Sequence, residues 1–165
     1  MCHEANYKGV MLLGKCGLMK YNLLLLTLAL SISAEASDFS GSWRMDPILN
    51  STQVFDLHIS QNGDNICGTH FGSVRGGAKI DSSFGSDPKA TISGTATEDT
   101  ADVTIISSQA EKPIEGTITR QQRVIIWSVV NPQAHRIMTI PKRALLKLIA
   151  PVDLGYSNLG VLCGK

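Results

Sequence analysis

The chain of 165 residues has no excess of either charge, because its 15 lysines and arginines nearly balance 14 acidic residues for a formal net charge of +1. Proteins that bind nucleic acid or anionic membrane surfaces usually concentrate positive charge on one face or segment. Neither nucleic acid nor an anionic membrane surface is therefore predicted as a partner.

Local patterns that identify catalytic or metal sites are also missing. The sequence contains no His-x-His, His-Glu-x-x-His or Gly-x-Ser-x-Gly pattern, and no Gly-Lys-Ser/Thr follows Gly76-Gly77. His58 and His70 fall on neighbouring strands of one predicted hairpin, where they would form a site with Asp56 or Asp64. A structural role for such a pair is favoured, so no catalytic residue, metal or cofactor is predicted.

No apolar run is long enough to span a bilayer, which needs about 20 residues. The apolar stretch 23–30 follows Lys20 and precedes Ala34-Glu35-Ala36, an arrangement typical of a secretory signal peptide. Cleavage is predicted near Ala36, which makes the mature protein periplasmic or secreted. The first 18 residues fit poorly ahead of such a signal, so we expect translation to start at Met19.

Two cysteines, Cys67 and Cys163, lie beyond the predicted cleavage site. An even number of cysteines in an exported chain favours a disulfide. Closing a loop of about 100 residues stabilises a fold by up to about 4.7 kcal/mol in the chain-entropy model, and here it would tie the C-terminus to the first hairpin. The remaining chain, 37–165, has a length suited to one domain with a single core.

The pattern Ile-x-Gly-Thr occurs three times, at 66–69, 92–95 and 114–117. Each copy lies in a short segment of alternating polarity, as do 39–45 and 54–60, and this period of two predicts β-strands. Asn62-Gly63 is a strong hairpin signal, since both residues tolerate positive φ. Eight or nine short strands joined by tight turns predict an antiparallel up-and-down β-barrel of about eight strands.

The end of the chain shows a different pattern. The segment 124–130 is apolar on both faces, which predicts a strand covered on both sides. After a last predicted strand over 135–140, Pro141 and leucines at helical spacing predict a short amphipathic helix over 142–149 that packs on the sheet. The predicted fold is therefore mainly β, with one short C-terminal helix.

The tripeptide Gly41-Ser42-Trp43 resembles the first strand of the calycins, the group that contains lipocalins and avidins. The succession of hairpins after it is similar in layout. The resemblance implies a barrel whose floor is closed by Trp43 and whose interior holds a small apolar ligand. No later lipocalin motif and no biotin-binding residues of avidin are found.

We expect a small exported binding protein, acting on another exported protein as an inhibitor or immunity-type module. Its contacts are expected in the long irregular loops 46–52, 75–89 and 109–113. A carrier of a small apolar ligand is the alternative, and an enzyme ranks last. The candidate contact residues for the partner or ligand are Trp43, His58, His70, Arg75 and Trp127.

Overall fold

The computed structural model describes residues 37–46, 52–82, 89–132, 136–150 and 159–164, all within the compact unit Glu35–Lys165. The predicted signal peptide, its cleavage site at Ala36 and the start at Met19 lie outside the described residues, as does His135.

Over these residues the chain forms nine β-strands, a 3₁₀ turn and one short helix. The strands are β1 (Gly41–Met45), β2 (Val54–Asn62), β3 (Asn65–Val74), β4 (Lys79–Ser82), β5 (Ile92–Thr97), β6 (Thr100–Ile105), β7 (Ile114–Gln121), β8 (Val124–Val129) and β9 (Arg143–Ala150). The 3₁₀ turn is Arg75–Gly77, and α1 is Leu159–Leu162.

Neighbouring strands pair antiparallel, and the sheet closes on itself because β9 pairs with β1. Strand β3 shares its second edge between two partners: residues 65–68 pair with β5, and residues 71–74 pair with β4. The result is the predicted closed barrel with eight strand positions around it, one of which is divided between β4 and β5. Closure pairs strand edges that would otherwise promote aggregation.

The two ends of the barrel differ in their connections. Tight turns at 63–64, 98–99 and 122–123 lie at one end, which we call the tight-turn end. Four longer connections start at the other end, which we call the loop end: 46–53, 106–113, 130–142, and 75–91, whose residues 79–82 return along β3 as the short strand β4. The up-and-down order of the strands produces this separation, since every second connection returns to the same end.

Large apolar side chains fill the described interior of the barrel. Trp43 and Trp127 are 0% exposed, and the rings of Phe55 and Trp127 lie 6.0 Å apart between centroids. The Trp43 indole N–H donates to the carbonyl of Phe39 at 2.9 Å, and the Arg120 guanidinium lies 5.4 Å from its ring centroid. Trp43, Phe39 and Arg120 therefore lie together at the tight-turn end of the barrel.

The three Ile-x-Gly-Thr copies share one orientation within the barrel. Ile66, Ile92 and Ile114 are buried and belong to the core. The glycine two positions later faces inward as well, and at Gly116 a Cβ would lie 2.2 Å from the Trp127 ring. The repeat is therefore the alternation of an apolar side chain with a glycine that makes room for a neighbour.

Replacing Gly116 by alanine is expected to lower the free energy of unfolding by about 1 to 3 kcal/mol, because the Trp127 ring must shift within a filled core. Urea denaturation measures the effect. Ser93→Ala, at the exposed x position of the second copy, is the control and should stay within about 0.5 kcal/mol of the wild type. Equal stability of the wild type and Gly116→Ala would mean that the core has free volume beside Trp127.

Two expectations for the end of the chain are wrong. Residues 143–150 form strand β9 and not the amphipathic helix predicted over 142–149, because this segment pairs with β8 on one side and β1 on the other and so closes the barrel. The strand predicted over 135–140 is absent from the described residues 136–140, which are bends and irregular backbone. Strand β8 buries alternate residues, and its outer face is half-buried without a helix over it among the described residues.

Candidate functional site at the loop end

A group of mainly buried polar side chains lies at the loop end around the carboxylate of Asp81, and we call it the Asp81 cluster. Its members are His70, Asp81, Thr91, Ser107, Ser108 and Thr139. Strand β4 pairs Asp81 with Gly72, and because Gly72 has no side chain the carboxylate points into the barrel with 1% of Asp81 exposed.

Both carboxylate oxygens of Asp81 accept several contacts. Oδ1 accepts hydrogen bonds from the backbone N–H of Ser108 at 3.0 Å and from its hydroxyl at 2.8 Å. Oδ2 accepts from the Ser107 hydroxyl at 2.5 Å and from Thr139 at 3.4 Å. His70 Nε2 lies 3.3 Å from Oδ2 at an angle outside ordinary hydrogen-bond geometry, so this contact is mainly electrostatic.

These contacts set the ionisation of Asp81. Burial alone would raise the pKa of the carboxyl, but the close contact with His70 and the hydrogen bonds from Ser107 and Ser108 outweigh burial. The pKa of Asp81 is therefore held well below its usual range. The cluster contains a buried carboxylate that stays charged because several donors face it.

The order Thr91 hydroxyl, His70 imidazole, Asp81 carboxylate resembles a nucleophilic relay. His70 Nδ1 lies 2.8 Å from Thr91 Oγ1, and that oxygen also accepts the backbone N–H of His70 at 3.1 Å. In a relay the hydroxyl is the nucleophile and must reach a substrate, whereas here Thr91 is only half-exposed and its oxygen is already bonded to the His70 backbone N–H and ring. Ser107 binds the carboxylate and not the imidazole, so the arrangement is better suited to holding the loop end together.

The Asp81 cluster joins three of the four long connections. Asp81 lies on β4 within 75–91, Ser107 and Ser108 lie in 106–113, and Thr139 lies in 130–142. Further bonds extend this network: the Gln109 side chain donates to the Ile80 carbonyl at 3.0 Å, and the Gln53 side chain donates to the Met138 carbonyl at 2.8 Å. The fourth connection, 46–53, is attached through Gln53. The described parts of the loop end therefore form one bonded network.

A cleft of about 550 Å³ opens between two of these connections, at the start of β7 and the end of β8. It is lined by Gln109, Ala110, Glu111, Lys112, Pro113, Ile114, Glu115, Val129, Asn131, Arg136 and Ile137. Its volume lies within the usual range of ligand sites. Apolar side chains form its floor and charged side chains of both signs form its rim.

Exposed large apolar side chains also concentrate at the loop end. Among the described residues, those at this end are Val54, Ile80, Ile106, Val130 and Met138. The most exposed are Val130 at 59% and Ile106 at 58%. The other two, Leu145 and Ile149, lie on the outer face of β9. Exposed apolar surface bordered by polar residues is typical of interaction sites.

The predicted histidine pair does not form a common site. His70 faces the barrel interior, whereas His58 faces outward and its Nδ1 lies 2.9 Å from Ser42 Oγ. Burial lowers the pKa of His58 to about 4, with Asp56 opposing the shift and Arg44 reinforcing it. Asp56 itself pairs with Arg44 at 2.7 Å. His58 is therefore a neutral, buried part of the outer face at ordinary pH.

The other predicted residues occupy different regions. Trp43 and Trp127 are fully buried core residues, and a position in the core leaves no surface for contact with a partner. Arg75 is exposed at the loop end with a φ of 55°. Cys67 and Cys163 form the predicted disulfide, with Cα atoms 5.7 Å apart, which ties the chain end beside α1 to the outer face of β3.

The class that the fold defines is the small, closed, up-and-down antiparallel β-barrel, here with a disulfide between β3 and the C-terminus. No protein family, curated protein or solved structure matches the chain in comparisons with known proteins. The described residues contain no group of three or more histidine, cysteine or acidic side chains placed to hold a metal. None of the helices in the described ranges has the length and apolar character needed to cross a membrane.

Proposed function

We propose that this protein is exported and binds another exported protein through its loop end, as an inhibitor or immunity-type module. One observation carries the proposal: the described parts of the four long connections lie at one end and are joined by hydrogen bonds into one network above a packed barrel. Binding loops on a rigid scaffold lose little conformational entropy on association. The disulfide and the exposed apolar residues of the loop end add support, since disulfides persist in oxidising compartments.

The carrier of a small apolar ligand remains the alternative, and the packing of the barrel argues against it. A calycin-type carrier needs an internal cavity, but the described interior is occupied by the protein's own side chains around Phe55, Trp43 and Trp127. Gly116 lacks even the room for a methyl group. A binding site on the loops requires no such cavity.

Site-specific photo-crosslinking tests the proposal. A photo-reactive amino acid placed at Lys112 or at Met138 should crosslink the protein to one defined exported protein in the periplasm or culture medium of the native host. Both positions are exposed and lie at the loop end. The same amino acid at Gln122, exposed in a turn of the tight-turn end, is the control and should give no such product.

Crosslinking of the same protein at Gln122 and at Lys112 would contradict a site confined to the loops. The absence of a crosslinked product at both Lys112 and Met138 would contradict the proposed function itself. A crosslinked protein that loses an enzymatic or toxic activity when the purified barrel is added would identify the inhibitory role.

A further inference from the structure

The floor of the loop-end cleft is fixed before any partner arrives. Ile114 begins β7 and Val129 ends β8, and each is held by strand pairing on its own side. Ile137 precedes Thr139, which belongs to the Asp81 cluster. Both Ile114 and Val129 are 8% exposed, so they present apolar surface at the base of the cleft without lying in solvent. A preformed apolar base of this kind accepts an apolar side chain at small entropic cost.

The rim of the cleft carries Glu111, Lys112, Glu115 and Arg136, all exposed. Within the described structure none of these four side chains takes part in an ion pair or hydrogen bond. Two carboxylates and two cationic groups are therefore free to pair with a ligand without first breaking a bond within the protein. A rim of mixed sign complements a ligand that carries both signs better than one that is purely acidic or purely basic.

We propose that this cleft is the anchor site for the partner protein, and that it holds one apolar side chain of an extended partner segment with an acidic and a basic neighbour. The apolar side chain contacts Ile114, Val129 and Ile137. The acidic neighbour pairs with Lys112 or Arg136, and the basic neighbour pairs with Glu111 or Glu115. The inference rests on the proposed function and assigns the partner chemistry to one part of the loop end.

Short peptides test this assignment by methyl NMR on the whole protein. The probe is acetyl-Glu-Leu-Lys-amide, and we expect it to shift the methyl signals of Ile114 and Ile137 with a dissociation constant of about 1 mM or tighter. The methyl signal of Ile125, buried beside Arg120 in the tight-turn half, should not move. Acetyl-Glu-Ser-Lys-amide should bind at least tenfold more weakly, and acetyl-Gln-Leu-Gln-amide should bind more weakly than the charged peptide.

Two variants of matched charge separate a specific rim contact from a general effect of net charge. Arg136→Gln should weaken binding of acetyl-Glu-Leu-Lys-amide several-fold and leave acetyl-Gln-Leu-Gln-amide unchanged. Arg123→Gln removes the same charge from an exposed turn at the tight-turn end and should change neither affinity. Equal weakening by both variants would overturn the role of the rim.

The experiment also distinguishes failure of this inference from failure of the proposed function. Loop-end crosslinks together with no peptide-induced shift at Ile114 and Ile137 would overturn the anchor site and leave the proposed function intact. Peptide binding without any loop-end crosslink would overturn the proposed function, and with it the assignment of the cleft to a protein partner. Equal shifts with the leucine and serine peptides would overturn the apolar anchor.

Discussion

Replacing Asp81 by asparagine is expected to lower the free energy of unfolding by about 3 to 5 kcal/mol. The substitution removes the charge of a buried carboxylate that faces His70 and accepts hydrogen bonds from Ser107 and Ser108. Asparagine keeps the shape of the side chain, but one of its terminal atoms is a donor. This amide donor would face other donors, because the hydroxyls of Ser107 and Ser108 and the Ser108 N–H all donate to Asp81 in the wild type. Urea denaturation at neutral pH measures the loss. Asp102→Asn, on the exposed face of β6, is the control and should change stability by less than about 0.5 kcal/mol.

The pH dependence of the stability difference between wild type and Asp81→Asn tests whether the charge of Asp81 causes that difference. The pKa of Asp81 is lower in the folded protein than in the unfolded chain, where the pKa of an aspartate is about 3.9. A carboxylate shifted in this direction contributes stability that is fully present above the unfolded pKa and is lost as the pH falls towards the folded pKa. The difference in the free energy of unfolding between wild type and Asp81→Asn should therefore narrow as the pH falls below about pH 4. A gap that does not change with pH would mean that Asp81 is not ionised in the fold.

Hydrogen exchange locates the effect of the same variant. The amide N–H of Ser108 donates to Asp81, and the amide of Gln109 donates to the Ser107 hydroxyl that the carboxylate holds in place. Both amides should exchange faster in Asp81→Asn by more than global destabilisation explains. The amide of Arg120, bonded to Asp99 at the tight-turn end, should follow global stability alone. An equal increase in the exchange rates of the Ser108, Gln109 and Arg120 amides would show that Asp81 stabilises the whole barrel without specifically fixing the loop end.

Most strands and turns of this barrel follow from local sequence, because alternation and turn chemistry are local properties. Phe55, Leu57 and Ile59 alternate with polar residues, which correctly places His58 on the outer face. No such signal assigns His70, because its neighbours on the same face of β3 are Gly68 and Gly72, which have no side chains. The alternation of apolar and polar residues therefore predicts the face of His58 in β2, whereas β3 contains no such alternation around His70.

The misassigned strand β9 shows where a local pattern is ambiguous. Its apolar residues satisfy both periods: Ala144, Leu146 and Leu148 lie on one face of a strand, while Ala144, Leu145 and Leu148 lie on one face of a helix. Local propensity favoured the helix. The fold requires a strand here, because β8 and β1 both have an edge that only this segment pairs. Closure of the barrel is a property of the whole chain, and it outweighs local preference.

The Asp81 cluster was not predictable for a related reason. Asp81 stands in a short polar stretch that reads like many surface loops, and its partners lie 26, 27 and 58 residues further along the chain. No local spacing connects Asp81 with Ser107 or Thr139. The long loops were predicted as contact regions from their irregular composition, but only the up-and-down topology shows that they meet at one end of the barrel. The candidate site is thus a consequence of topology more than of any motif.

Removing the disulfide by replacing both Cys67 and Cys163 with serine is expected to lower the free energy of unfolding by about 2 to 5 kcal/mol. The bond closes a loop with a sequence separation of 96, so its loss gives the unfolded chain much additional conformational freedom. Strand pairing holds the barrel closed without the bond, so the double variant should still unfold cooperatively. A dithiol reductant acting on the wild type should reproduce the loss of stability and should have no effect on the variant. A loss below about 1 kcal/mol would contradict the chain-entropy argument.

The same double variant should leave the loop end intact, because Cys67 pairs with Ser60 and Ser93 in the tight-turn half of β3. Crosslinking from Lys112 should be unchanged, and the Ser108 amide should exchange faster only by what the global loss of stability explains. In contrast, α1, which the disulfide ties to β3, should lose further protection around the buried Leu159. Asp81→Asn is expected to give the opposite distribution of effects. If either variant disturbed both regions equally, the barrel would be one indivisible cooperative unit. The separate effects expected here instead assign the disulfide to the stability of the fold, and Asp81 to the shape of the loop end that we propose as the binding surface.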